Sequence, residues 1–103
     1  MKVQTDDVDG ILIVRPIGKL DALTAPEFQE AMDKVLREEP PRVIIAMTDV
    51  PFVSSAGLRV FIRTAKQVMR FGKLAVCSLE RNIQQVFELA GFDKIMAVCE
   101  DLE

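Results

Sequence analysis

The sequence predicts a small α/β domain in the order ββαβαβαβ, a mixed sheet carrying crossover helices and parallel where the βαβ units lie. Three observations lead there. Asp9-Gly10 sits between two strand-like runs, a strong hairpin signal. Short runs rich in β-branched residues then alternate with segments of helical apolar periodicity. No linker, repeat or low-complexity stretch interrupts residues 1–103, which read as one domain, and 50% hydrophobic residues suffice for its own core.

The elements follow in order. Runs 2–8 and 11–17 form the hairpin. After Gly18, Thr24-Ala25-Pro26-Glu27 fits a capping box, with Pro26 in the tolerated first turn. The helix it opens has Phe28, Ala31, Met32, Val35 and Leu36 at three-and-four spacing, and Pro40-Pro41 stops it. Residues 42–47, centred on Val43-Ile44-Ile45, read as a strand buried on both faces at the sheet centre. Asp49-Val50-Pro51 bends the chain. Ser54 or Ser55 then caps a helix over about 56–71, closed by Gly72, with an apolar stripe of Leu58, Phe61, Ile62, Ala65 and Met69. A strand at 73–77 follows. The third helix, about 83–90, starts from Ser78 or Asn82, shows Ile83, Val86, Phe87 and Ala90 on its apolar face, and ends at Gly91. Residues 95–98 form a last short strand.

Composition removes several function classes. Thirteen basic against sixteen acidic side chains give a net charge of -3, too balanced for a nucleic-acid footprint or a basic membrane anchor. The first ten residues lack the parts of a signal peptide, and no apolar run approaches a membrane span, so the expected location is cytosolic. Cys77 and Cys99, in LAVC and MAVC, are expected as buried, reduced thiols. The chain has no histidine, which removes Ser-His-Asp and Cys-His catalysis and histidine-bound metal. No metal or cofactor is expected, and with no GxxxxGK[ST] loop a nucleotide-hydrolysing enzyme is disfavoured.

Against that background FVSSAGLR, residues 52–59, stands out: two adjacent hydroxyls precede a helix that needs only one as its cap. Gly57 falls in the first turn, at a cost of about 1 kcal/mol relative to alanine. Close approach of another molecule to this backbone would account for it. With no general base at hand, a reactive serine here requires a catalyst from a second protein.

The stretch VIIAMTDVPFVSSAGLRVF, preceded by GKLDALTAPEF and followed by VFELAGFDKI, resembles the STAS domain of bacterial anti-sigma factor antagonists, over nearly the whole chain. The resemblance implies a small mixed-sheet α/β fold with helices largely on one side, and a serine phosphorylated by a partner that is both anti-sigma factor and kinase. That phosphoacceptor falls on Ser55, the following small residue on Ala56, and the family's Gly-Leu on Gly57 and Leu58. Ser54 stands where many relatives have aspartate and is the alternative acceptor. Asp21, in GKLDA, matches an acidic position at the same end of the family's sheet; a loop or capping carboxylate is the other reading.

The implied function is an antagonist that, unmodified, binds an anti-sigma factor kinase and frees a sigma factor; a phosphatase resets the switch. The chain is then a binding module and a substrate, not a catalyst, with Asp21, Ser54, Ser55, Ala56, Gly57, Arg59, Arg63 and Lys66 as expected partner-binding residues. A STAS protein of another assembly, a stress-signalling scaffold or lipid-transport complex, is the alternative. Arg59, Arg63, Lys66 and Arg70 recur along one face of the second helix, with no acidic residue in that helix to balance them. They read either as a solvated face or as a docking ridge for an acidic partner.

Overall fold

The computed structural model describes residues 1–99; the last four positions of the expected 1–103 domain lie outside the described residues. Strands β1 (Lys2–Val8) and β2 (Ile11–Ile17) form the hairpin, followed by α1 (Ala25–Leu36), β3 (Arg42–Ala46), α2 (Ser55–Val68), β4 (Lys73–Cys77), α3 (Arg81–Leu89) and β5 (Ala97–Cys99). The order ββαβαβαβ is the one the sequence predicts. Asp9 (φ 53°) and Gly10 (φ 83°) both take left-handed backbone, as a two-residue hairpin turn requires.

The sheet runs β1-β2-β3-β4-β5, antiparallel at the hairpin and parallel thereafter. Each parallel connection therefore steps one strand in the same direction, and right-handed crossovers stepping one way all lay their helices on the same face. Register turns Val14, Ile45, Val76 and Val98 into one row beneath the helices, with Leu12, Val43 and Leu74 in the row beside it. Over these rows run Phe28 of α1, Phe61 of α2, Phe87 of α3 and Phe92, their ring centroids 5.5, 5.2 and 5.0 Å apart in sequence. These aromatic contacts tie each helix to the next.

Several local expectations are corrected. The strand at the sheet centre is not buried on both faces: Val43 and Ile45 are, but Ile44, in the opposite row with Ile13, Ala75 and Ala97, is half-exposed because no helix covers that side. The capping box does not form. Thr24 Oγ1 donates instead to Lys19 O at 2.7 Å and accepts from Asp21 N, while Glu27 takes the Met1 amino group at 2.7 Å. The buried side of α2 is Val60, Phe61, Thr64, Ala65 and Val68; Leu58 and Ile62 lie at its margin and Met69 is exposed, since the helix turns toward both the sheet and α1. That helix ends at Val68, and Gly72 is no left-handed cap. A β-carbon on Gly72 would stand 2.3 Å from Pro41 O, so closeness to the α1–β3 loop is what requires glycine. Helix α3 is capped by Glu80, whose Oε2 accepts from Asn82 N at 3.0 Å, not by Ser78 or Asn82. Gly91 does end it in the left-handed region, after which a turn of 3-10 helix, Phe92–Lys94, delays the last strand to Ala97–Cys99. Cys77 is buried as expected. Cys99, on the edge strand, is exposed.

Candidate functional site

The parallel strands β2, β3 and β4 all end at one rim, where loops 18–24, 47–54 and 78–80 gather, the usual place for a ligand or partner on a parallel sheet. The first two loops are zipped together. Gly18 N donates to Asp49 O (3.0 Å), Leu20 N to Phe52 O (2.9 Å) and Ser54 N to Leu20 O (2.8 Å), extending the parallel pairing as a single bridge between Leu20 and Val53. A residue after the hairpin is thereby fixed against the start of α2.

At that start the two serines part ways. Ser54 is the N-cap, with extended backbone (φ -84°, ψ 174°) and Oγ accepting from Gly57 N at 3.3 Å. Ser55 is the first helical residue; its side chain is exposed and makes no hydrogen bond among the described residues. Its own N–H and that of Ala56 belong to the helix's unsatisfied first turn, so an anion attached to Ser55 would sit at the positive end of a 14-residue helix. Gly57 is explained from within the chain. A β-carbon there would lie 2.7 Å from Leu20 Cγ and 3.0 Å from Val53 Cγ1, so the zipped loops and not an outside molecule need this glycine.

Asp21 follows Leu20 and is brought beside Ser54 by that zipper, but its carboxylate serves its own loop. Oδ1 accepts from Leu23 N and Thr24 N, both at 3.0 Å, and at 3.2 Å shares with Lys19 O the one proton of the Thr24 hydroxyl. The Thr24 backbone N–H chiefly, aided by that of Leu23 and the Thr24 hydroxyl and opposed by partial desolvation, holds its carboxyl below the ordinary aspartate value. A lowered folded-state pKa stabilises the fold above the unfolded value and is lost as pH falls through the folded one. The difference in urea midpoint between wild type and Asp21→Ala is therefore expected to be largest near neutrality and to shrink on acidification below about pH 4. A gap of constant size across that range would mean that the carboxylate charge does not hold the loop.

Arg59 lies one turn beyond Ser55 and is exposed. Arg63 and Lys66 lead away from the serine, by roughly 12 and 16 Å along the axis at 1.5 Å per residue. Arg63 Nη2 approaches Asp33 Oδ2 of α1 at 3.8 Å. The cations are therefore not gathered around the serine but strung out behind it.

The rim also holds side chains that the sequence reading passed over. Leu23 is 86% exposed and Phe52 49%, although four other phenylalanines form the interior line. A groove of about 220 Å³ opens beside the serines, with Phe52, Val53, Leu58, Ile83 and Val86 in its wall and Glu80 at its lip. Large apolar residues inside turn segments, LTAP and VPFVSS, were the available signal. Among the described residues no three His, Cys, Asp or Glu side chains come together, and no helix is long and apolar enough to cross a membrane.

The family model of the STAS domain matches residues 2–103. BtrV of Bordetella bronchiseptica, provisionally described as an anti-sigma factor antagonist, is 32% identical over 104 residues, covering 100% of this chain and 90% of that one. The anti-sigma F factor antagonist of Paenibacillus polymyxa is 25% identical over 103 residues, covering 98% and 88%. Among solved structures, an anti-sigma factor antagonist from Mycobacterium paratuberculosis superposes with a TM-score of 0.91 at 26% identity, covering 98% of this chain and 86% of that one.

Proposed function

The chain belongs to the STAS domain family, and from that premise we propose that it is an anti-sigma factor antagonist switched by phosphorylation of Ser55. In its unmodified form it binds an anti-sigma factor with serine kinase activity, which lets a sigma factor go. Phosphorylation by that partner ends the binding, and a serine phosphatase restores it. ATP and its magnesium belong to the kinase. The names of the relatives support the antagonist role.

The division of labour between the two serines carries the choice of residue. Ser54 Oγ is engaged with Gly57 N, whereas the Ser55 hydroxyl stands exposed and unbonded on the rim. A kinase can reach it without unwinding the helix. Leu23, Phe52 and the groove lined by Phe52 offer apolar contact area at that rim, with Asp21, Ala56 and Arg59 completing the face and Gly57 buried behind it. Exposed apolar side chains grouped at a polar rim are the usual mark of a protein interface. Arg63 and Lys66, expected with it from the sequence, lie too far along α2 to belong to this face.

Incubation with the cognate kinase and ATP should add one phosphate to the wild type and none to Ser55→Ala, read by intact mass. Ser54→Ala should still be labelled, although loss of the cap lowers its stability by about 1 kcal/mol. Phosphate appearing on Ser54 in the Ser55→Ala protein would undo the assignment.

A further inference from the structure

Behind the rim, α2 presents a shallow groove of about 430 Å³ with Ile62 at its floor and Arg59, Arg63, Lys66 and Arg70 along its edges. Arg59 to Lys66 span roughly 10 Å of α2 at 1.5 Å per residue, and Arg70 lies in the turn that follows the helix. Asp33 of α1 is the one carboxylate paired with any of them among the described residues, at the long distance of 3.8 Å from Arg63, so most of this charge is uncompensated. Gln67 also lines the groove, and its Oε1 is buried without a hydrogen-bond partner among the described residues. A row of cations around a partly exposed apolar side chain suits an occupant with two properties: negative charge and an apolar side chain.

We propose that this groove is a docking surface for an acidic segment of a protein partner, anchored by an apolar side chain over Ile62 and distinct from the serine rim. Charge complementarity selects the acidic segment, and Ile62 set among the cations selects one that also carries an apolar side chain. A nucleic-acid duplex supplies no apolar side chain and is opposed by a net charge of -3 on the whole chain. In this arrangement the stripe steers encounter and Ile62 holds the docked segment, so charge governs the on-rate and its salt dependence. Asp33 competes with the segment for Arg63.

A fluorescein-labelled helical peptide with glutamates at i, i+3, i+4 and i+7 and one leucine between them serves as the probe, followed by anisotropy with the full chain. The double variant Arg63→Glu, Lys66→Glu should weaken binding about tenfold or more and flatten its salt dependence, and a glutamine version of the peptide should bind as poorly. Asp33→Asn should tighten binding about threefold, and Ile62→Ala should reduce the affinity that persists at high salt. Ser55→Asp should lower peptide affinity by no more than about twofold, because among the groove cations it reaches only Arg59, through an exposed i, i+4 pair. Arg63 and Lys66 are exposed and Asp33 is half-buried, and circular dichroism establishes that each variant is folded. Peptide binding at wild-type affinity by the double variant overturns the proposal. So does tighter capture by vesicles of phosphatidylcholine with phosphatidylserine, or by duplex DNA, than by the peptide. None of these readings involves the kinase, so failure here is distinguishable from failure of the serine switch.

Discussion

Phosphorylated on Ser55, the protein is expected to bind its anti-sigma partner at least about 100-fold more weakly, a loss of about 2.7 kcal/mol. Its melting temperature should not fall. The two halves of this expectation come from one placement. At the first position of a 14-residue helix, a phosphate of about -1.5 to -2 charges meets unsatisfied N–H groups and the positive end of the dipole, worth about 0.3–1 kcal/mol in favour of the folded chain. For a domain of this size that corresponds to an upward shift of less than about 8 °C. In the complex the same group would be pressed between the partner and a rim of Leu23, Phe52 and the groove beside them, where desolvation of an unpaired charge outweighs so small a gain. Calorimetric binding and thermal scans on matched phosphorylated and unmodified protein test both halves. A melting temperature falling by more than about 10 °C would mean that the phosphate acts through the fold instead of the interface. Unchanged affinity would remove Ser55 from the interface altogether.

Phe61→Ala is expected to destabilise the protein by about 3–5 kcal/mol, a large part of the roughly 5–15 kcal/mol of a whole domain. Phe61 is fully buried, and its ring lies between Phe28 at 5.5 Å and Phe87 at 5.2 Å, so its removal leaves a void between all three helices. The flanking helices are held by the sheet and cannot close that void without breaking their own contacts. Urea unfolding should show a lower midpoint with the slope preserved. Phe52→Ala is the contrast. Half exposed at the rim, it should leave the midpoint nearly unchanged while weakening partner binding. A loss below about 1 kcal/mol at Phe61 would show that the aromatic line does not hold the helices together.

The sequence alone determined what depends on neighbours along the chain. Strand–helix alternation, the left-handed Asp9-Gly10 turn and the stop at Gly91 are local conformational preferences, and all three are found in the structure. It also located the helix start with two serines, because a hydroxyl ahead of apolar periodicity is a local signal too. Which serine caps the helix could not be read there. Ser54 and Ser55 are chemically alike, and the choice follows from where Leu20 O fixes the Ser54 backbone, a contact 34 positions away. The same holds for the misread details. Gly57 and Gly72 are glycines because Leu20 and Pro41, distant in sequence, pack against them. Thr24 and Glu27 fit a capping box, yet Thr24 is drawn to Lys19 O and Asp21 in the zipped loop. Met69 matches the helical period of its apolar neighbours but lies 65% exposed, while Thr64 is buried, because tertiary contact and not residue type decides which side of α2 meets both the sheet and α1. Periodicity records what a segment can bury. Only the meeting of distant segments decides which atoms are buried, and therefore which hydroxyl is left facing outward.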